Sequence, residues 1–469
     1  MLTSELSYLN GLINDLYDFE EELKRLSLKV YPSPVLKQFI TKELIPIVLN
    51  IRDIFIKDKA KLDEDPHYNI SAKTKAAEII WSSGYLQHFA WAISESNIKS
   101  YPLEIMSFFK DLIHELDTSN FEILAVPSHE INFSFSEVWL PLKDYLEKNI
   151  GLKSNNETLL IKLTFPHTHR HNLFLSCIYA HEIGHYFDRR NDFWGDIFTK
   201  VIKDRFILKK FKPILRTSSD VDNDAIRIVI LQKVLGSWIR EAIADCFAVC
   251  LLGPAYVYST MEFNIFSSGR QQFHNNLLMN IYSLTHPPNH LRNNFQVKLL
   301  KELGLFRVLN NRLKNEITEY NDQINKSASY YRDSETRLDL DDTLYLVENK
   351  EFYDVIEELW KSTLTPIKSR VKSFLKNNVM TPKQVEEALR LAEERIKLAV
   401  PPNEYEGKAA SVPAILNAGW FARLQYRADM EKVLNNIKGE KADYNFLENL
   451  NSLIRYALYA SQVHKRWQE

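Results

Sequence analysis

The segment Leu173-Phe-Leu-Ser-Cys-Ile-Tyr-Ala-His-Glu-Ile-Gly-His185 decides how the chain is interpreted. Its first eight residues are typical of an apolar helix, and its last five form a His-Glu-x-x-His motif. Positions i and i+4 share one helix face, so His181 and His185 are predicted to bind one zinc ion together. Glu182 is adjacent and is predicted to reach a water at that metal as general base. Because a lone motif of this kind is weak evidence, the rest of the sequence has to support it.

A second group of acidic residues lies downstream, in Trp238-Ile-Arg-Glu-Ala-Ile-Ala-Asp245. Glu241 and Asp245 are one helical turn apart and have apolar neighbours. Catalytic zinc takes three protein ligands and leaves a fourth position for water, so Glu241 is predicted to be the third ligand. Asp245 is predicted to accept the other ring N–H of a ligating histidine. A solvated helix face is the alternative, which the apolar neighbours disfavour because unpartnered buried acids are costly.

The segment Thr285-His-Pro-Pro-Asn-His-Leu-Arg292 supplies two further candidates. Two prolines fix the backbone after His286, which would help to hold its imidazole in place. Near a metal, His286 could donate a hydrogen bond to the oxyanion of a tetrahedral intermediate. Arg292 could support the same region or pair with a glutamate or an aspartate. Taken alone, this segment is better interpreted as a Pro-Pro turn with an incidental histidine and arginine.

Two sets of residues leave alternatives open. Tyrosine hydroxyls could also donate to an oxyanion, and the sequence does not choose among Tyr186, Tyr256 and Tyr258. Cys177 lies one turn before His181, and a thiolate there could in principle bind zinc. With two histidines and a glutamate already present, Cys177 is interpreted as a small residue of the core.

Taken in order, the three motifs H-E-x-x-H, E-x-x-A-D and T-H-P-P-x-x-x-R resemble those of the gluzincin metallopeptidases. The resemblance is strongest to the branch that holds the CAAX prenyl protease and the heat-shock-induced membrane protease, and it covers about residues 159–300. It implies zinc ligands at His181, His185 and Glu241, a general base at Glu182, a partner of a ligand at Asp245, and cleft residues at His286 and Arg292. It also implies an edge strand, here about 158–165, that pairs with the substrate backbone.

The resemblance does not extend to the membrane. Those relatives carry membrane helices, whereas no stretch of this sequence reaches the 18 apolar residues that a spanning helix needs. Membrane and prenylated substrates are therefore not expected. The N-terminal segment mixes acids with apolar residues and does not form a signal peptide, so we expect a cytoplasmic protein.

Composition narrows the class of protein. The chain has 469 residues, and 59 lysines and arginines balance 61 aspartates and glutamates, which gives no support for a nucleic-acid partner. Three cysteines are too few for a disulfide framework. Only 12 residues are glycine, well below the usual ~7%, which favours a mostly helical chain.

The expected fold is mainly α with a small β-sheet, an α+β arrangement with a gluzincin-like catalytic core between two helical arms. Three regions are predicted, an N-terminal helical region at 1–120, the metallopeptidase core at 121–305 and a C-terminal helical region at 306–469. Strands are predicted at 121–126, 130–137 and 158–165 only.

Helices are predicted inside the core and after it. Those in the core lie at about 171–188, 193–211 and 222–252, and the last of them is expected to break near Gly236. A further helix starts at the Thr381-Pro382 pair and ends at Val400.

The sequence thus predicts a zinc metallopeptidase with one Zn²⁺ per chain that acts on a protein or peptide substrate and is selective rather than digestive. A catalytically inactive zinc-binding scaffold or interaction protein of the same fold is the alternative. Hydrolysis of a non-peptide amide is a second enzymatic alternative.

Overall fold

The computed structural model describes residues 2–65, 67–97, 102–117, 119–129, 132–154, 156–169, 172–202, 215–217, 224–271, 280–326, 329–331, 335–340, 343–434, 439 and 441–468. Over this part the chain is mainly helical with small β-sheets, which confirms the predicted class. It divides into two compact units, Met1–Arg170 and His171–Glu469. The strands between 121 and 166 therefore group with the N-terminal helices, and the functional boundaries predicted at 120 and 305 stay predictions.

The first unit is built from helices and one small sheet. Its α-helices are α1 (Leu2–Ser27), α2 (Pro34–Phe39), α3 (Ile45–Glu64), α4 (Ala72–Ser82), α5 (Tyr85–Glu95), α6 (Leu103–Leu116) and α7 (Trp139–Tyr145). One apolar cluster joins helices α1–α5 and α7 to the sheet, since Phe39, Phe89 and Trp139 pack in the same core as Leu124 and Leu160.

The sheet of this unit has the strands β1 (Phe121–Ser128), β2 (Ser134–Glu137) and β3 (Leu159–Pro166). Their order is β1-β3-β2, with β3 parallel to β1 and antiparallel to β2. All three overlap the predicted strands; of the segment predicted at 130–137, residues 130–131 lie outside the described residues. The expectation of an edge strand at 158–165 is wrong, because both edges of β3 are occupied. Its nearly continuous apolar sequence is that of a strand buried within a sheet.

The second unit contains the three chemical motifs and is also mainly helical. Its α-helices are α8 (Tyr179–Asn191), α9 (Phe193–Ile202), α10 (Asp224–Leu252), α11 (Pro254–Gln271), α12 (Asn289–Glu302), α13 (Leu305–Val308), α14 (Asn311–Lys326), α15 (Asn349–Leu375), α16 (Pro382–Glu394), α17 (Val412–Gln425), α18 (Arg427–Val433) and α19 (Ala442–Gln468). Among the described helices of the whole chain, none combines the length and the apolar character needed to cross a bilayer.

This unit also contains strands that the sequence did not predict. They are β4 (Leu215–Thr217), β5 (Asn280–Tyr282), β6 (Ser329–Tyr331), β7 (Glu335–Leu340), β8 (Thr343–Glu348), β9 (Glu404–Tyr405) and β10 (Lys408–Ala409). The strands β7 and β8 form an antiparallel hairpin, to which β4 adds at the β8 edge. The prediction of only three strands is therefore wrong. Five of the missed strands (β4, β5, β6, β9 and β10) are only two or three residues long, too short to show a pattern of alternation.

The helix α10 runs without a break through Gly236, contrary to expectation. A Cβ atom at Gly236 would lie 3.2 Å from the Trp194 ring, so the glycine permits close packing rather than a turn. Of the helix predicted at 193–211, residues 203–211 lie outside the described part. The helix signalled by Thr381 is confirmed as α16 with a capping box between Thr381 and Gln384, although it ends at Glu394.

The corner between α10 and α11 is held by residues from much later in the chain. Gly253 turns the chain there with a φ of 57°. The buried amide of Asn417, on α17, donates to the Leu252 carbonyl and accepts from the Ala255 N–H, each at 2.8 Å. Met380 N–H donates to the Cys250 carbonyl at 2.7 Å. The C-terminal helices are thus part of the core that carries the motifs.

Replacing Asn417 by alanine is expected to lower the free energy of unfolding by about 2–4 kcal/mol, because it leaves the buried Leu252 carbonyl and Ala255 N–H without their partner. Urea titration followed by circular dichroism measures this loss. Asn294→Ala is the control: that side chain is exposed and bonds to Asn325, so a change within about 0.5 kcal/mol is expected. Equal midpoints for both variants would contradict the role of Asn417.

Candidate metal centre

The two motif histidines lie on one face of α8, as their spacing predicts. A short 3-10 turn, Leu175–Ile178, precedes the helix, so α8 begins at Tyr179, later than the expected start near 171. The His181 and His185 rings lie at 87° to each other, and their Nε2 atoms are 3.1 Å apart. His181 is buried, whereas about a fifth of the His185 side chain is exposed. The pair therefore opens toward solvent on the His185 side.

Gly184 lets α8 approach α10 closely. A Cβ atom at Gly184 would lie 2.8 Å from the Ala244 Cα, closer than real Cβ atoms come to a neighbouring atom, and a tight 3.1 Å from the Phe247 Cβ. Only glycine therefore fits there without displacing a helix. Because Ala244 lies between Glu241 and Asp245 on α10, this contact brings both carboxylates up to the histidines. The sequence signal for this close approach is the glycine inside an apolar helix.

Glu241 completes a group of three side chains that could hold a metal ion. Its Oε2 lies 3.4 Å from Nε2 of His181, and its Oε1 lies 3.3 Å from Nε2 of His185. Atoms that bind a tetrahedral zinc ion at about 2.0–2.1 Å lie about 3.3–3.4 Å from one another. The two histidine nitrogens are 3.1 Å apart, and together with one oxygen of Glu241 all three donor atoms lie within 4.8 Å of one another, close enough to hold a metal ion. Among the described residues, no other such group of histidine, cysteine, aspartate and glutamate is present.

Asp245 orients His181 from behind, as predicted. The Asp245 Oδ1 atom lies 3.0 Å from Nδ1 of His181 and accepts its proton. With Nδ1 donating to Asp245, Nε2 is the ring nitrogen that faces His185 and Glu241, and its lone pair is available to a metal once its own proton is lost. Asp245 is fully buried, so this hydrogen bond is shielded from water.

Charge in the group favours a cation. Burial by itself lowers the pKa of His181, but Asp245 and Glu241 outweigh burial and raise that pKa to about 10. Burial by itself raises the pKa of Glu241, but the charges of Arg292 and His185 hold it well below its usual range. Asp245 shows the same balance, with Arg292 again lowering its pKa. Both carboxylates are therefore ionised at neutral pH, as metal binding requires.

Arg292 pairs with both carboxylates. Its Nε and Nη2 atoms donate to Oδ2 and Oδ1 of Asp245 at 2.9 and 2.7 Å, and its Nη1 lies 3.2 Å from Oε2 of Glu241. Of the two roles that the sequence left open, the structure thus supports pairing with acids. One guanidinium balances two buried carboxylates that would otherwise repel each other.

His286 lies at the outer side of the group. Its Nε2 atom is 3.5 Å from Oε1 of Glu241, and more than half of its side chain is exposed. Thr285 holds the other ring nitrogen, with Oγ1 at 2.8 Å from Nδ1. The turn is anchored to α10, because Trp238 Nε1 donates to the Ser283 carbonyl at 3.0 Å while the Ser283 hydroxyl accepts from the His286 N–H. This anchor at Ser283 was not predicted from the sequence.

The alternatives left open by the sequence are resolved in part. Tyr258 donates its hydroxyl to the Leu313 carbonyl, whereas Tyr256 donates to Oδ1 of Asp245 at 2.6 Å and belongs to the site. Cys177 is buried, and burial raises the pKa of its thiol to about 12, which agrees with a residue of the core. Glu182 is buried and follows His181 on α8.

Comparisons with models of known families, with curated proteins and with solved structures find no match to this chain. The resemblance to gluzincin peptidases therefore stands on the three motifs.

Gly184→Ala is expected to destabilise the protein by about 1–3 kcal/mol, because the added methyl group overlaps the α10 backbone. Thermal unfolding followed by circular dichroism measures the effect. Gly11→Ala in α1 is the matched control: nothing lies within 4 Å of a Cβ there, so a gain of about 0.5–1 kcal/mol is expected. If both substitutions were stabilising, the close approach of α8 and α10 would be wrong.

Proposed function

We propose that the protein is a zinc-dependent metallopeptidase that hydrolyses peptide bonds of a protein or peptide substrate. The observation that carries the proposal is the group of His181, His185 and Glu241, largely buried and with one donor atom of each residue within 4.8 Å of the others. Two nitrogens and one carboxylate oxygen suit zinc, and three protein ligands leave a position for water or substrate. The three motifs in their order give independent support.

Each side chain has a separate task in this proposal. Zinc bound in the group would lower the pKa of a water molecule and polarise the scissile carbonyl. Glu182 accepts the proton of the attacking water and passes it to the leaving amine, so that one carboxylate serves as base and then as acid. Asp245 keeps Nε2 of His181 free to act as ligand. His286 donates its ring N–H toward the developing oxyanion, and Thr285 holds its other nitrogen.

The proposed substrate is a protein or peptide, and the formal net charge of −2 gives no support for a nucleic acid instead. We place the enzyme in the cytoplasm and expect selective, regulatory cleavage. Broad degradation of casein would count against selectivity.

Metal content and peptide hydrolysis test the proposal in the full chain. Wild type and Glu182→Gln are expected to hold about one zinc per chain, since the three ligands are intact, and His185→Ala is expected to lose it. Glu182→Gln is expected to lower the hydrolysis of a fluorogenic peptide library at least ~100-fold, because the general base is gone. Elemental mass spectrometry and fluorescence provide the two readouts.

Matched controls separate these effects from general damage. His67→Ala and Glu448→Gln alter exposed residues of the same types and should keep both zinc and activity. Full activity of Glu182→Gln would exclude the mechanism, and stoichiometric zinc in His185→Ala would exclude the ligand set.

A second candidate function is a zinc-binding scaffold without catalysis. It is favoured by one observation, the position of His286 Nε2 at 3.5 Å from Oε1 of Glu241, close to the spacing of a fourth ligand. Structural zinc sites are closed by four protein ligands, whereas catalytic sites keep one position open. In the scaffold, His286 would occupy the position that the peptidase reserves for water.

His286→Ala distinguishes the two candidates. For a peptidase, the zinc dissociation constant should change less than about threefold while hydrolysis falls about 10²–10³-fold, because an oxyanion donor is lost. For a scaffold, affinity should fall by at least about tenfold, because a ligand is lost. Competition with a chromophoric chelator measures the affinity, and His290→Ala, four residues away, is the control.

A further inference from the structure

One oxygen atom of Asp245 is shared by three hydrogen-bond donors. Oδ1 lies 3.0 Å from Nδ1 of His181, 2.6 Å from the Tyr256 hydroxyl and 2.7 Å from Nη2 of Arg292. A carboxylate oxygen offers two lone pairs, so three donors compete for them. The hydrogen bond to His181, which has the longest of the three distances, is therefore weaker than it would be with an unshared carboxylate.

Tyr256 is held in a position from which it competes with His181 for Oδ1 of Asp245. Its hydroxyl is fully buried with the ring, and it lies 3.2 Å from Nδ1 of His181 as well as 2.6 Å from Asp245. Because the His181 proton is donated to Asp245, the Tyr256 proton is also directed at Asp245. The tyrosine thus adds a second neutral donor to the oxygen that raises the basicity of the zinc ligand.

Arg292 also binds these carboxylates. It donates hydrogen bonds to both oxygens of Asp245, and its Nη1 lies 3.2 Å from Oε2 of Glu241, the oxygen that faces His181. Its positive charge also repels a divalent cation at the neighbouring ligands. A site built only for tight binding would place no cation there.

We propose that Tyr256 and Arg292 are positioning residues that weaken metal binding and thereby keep the bound ion electrophilic. Both residues donate to Asp245 and so weaken its hydrogen bond to His181, and Arg292 also holds part of the negative charge of Glu241. His181 and Glu241 therefore donate less electron density to the metal. The inference rests on the metal site of the proposed function and concerns the affinity of that site. It predicts that removing either residue strengthens binding, the opposite of what loss of a supporting contact would do.

Zinc affinity of the full chain tests the sign of the effect. Tyr256→Phe is expected to bind Zn²⁺ about three- to tenfold more tightly, since His181 gains a stronger hydrogen bond to Asp245. Arg292→Gln should bind about tenfold more tightly, and Arg292→Lys, which keeps the charge, should stay near wild type. Asp245→Asn should bind about 10–100-fold more weakly. Chelator competition gives the dissociation constants, and the Co²⁺ absorption spectrum verifies that the ligand set is unchanged.

Tyr258→Phe is the matched control, because this buried tyrosine on the same helix donates to the Leu313 carbonyl away from the metal group. Its zinc affinity should equal that of wild type. Unchanged or weaker binding in Tyr256→Phe would overturn the inference even if Arg292→Gln fails to fold, and it would leave the peptidase proposal untouched. Tighter zinc binding by the two variants, together with no peptide hydrolysis by wild type, would overturn the proposed function alone. A wild-type chain that binds no zinc would overturn both.

Discussion

The close approach of α8 to α10 at Gly184 is the constraint on which the candidate site depends. Two histidines one turn apart can face any neighbour, and they become a potential metal site only because a carboxylate is held against them. The missing side chain at Gly184 lets Ala244 approach to a distance that no larger residue permits. That single contact places Glu241 in front of the histidines and Asp245 behind His181.

Burying these groups together creates an electrostatic problem that the fold answers with Arg292. Two carboxylates in a water-poor interior are stable only with compensating charge, which the guanidinium supplies from α12. The guanidinium has a second effect. The negative charge that it neutralises on Asp245 and Glu241 no longer strengthens the bonds between the ligands and a metal ion. Stability of the buried carboxylates and affinity for a metal are therefore opposed within one network.

Periodicity and motif spacing predicted the helical character of the chain, strands at 121–126, 130–137 and 158–165, and the grouping of His181, His185, Glu241 and Asp245. These features depend on residues close in sequence or on one helix face. The order β1-β3-β2 could not be predicted, because strand neighbours are selected by packing between distant segments. The role of Tyr256 was equally hidden, since its position follows from the corner at Gly253. The hairpin of β7 and β8 was missed because its pairing, rather than its composition, makes it a sheet.

The capping of α10 by Met380 and Asn417 affects when the site can form during synthesis of the chain. The helix that carries Glu241 and Asp245 ends at carbonyls whose partners lie about 130–165 residues further along the chain. During synthesis these partners emerge from the ribosome well after the His-Glu-x-x-His segment, at about 5–20 residues per second. The corner between α10 and α11, and with it the final position of Tyr256, is complete only when α17 has folded. A nascent chain therefore carries all the residues of the metal group for roughly 9–35 seconds before it has the geometry that holds them.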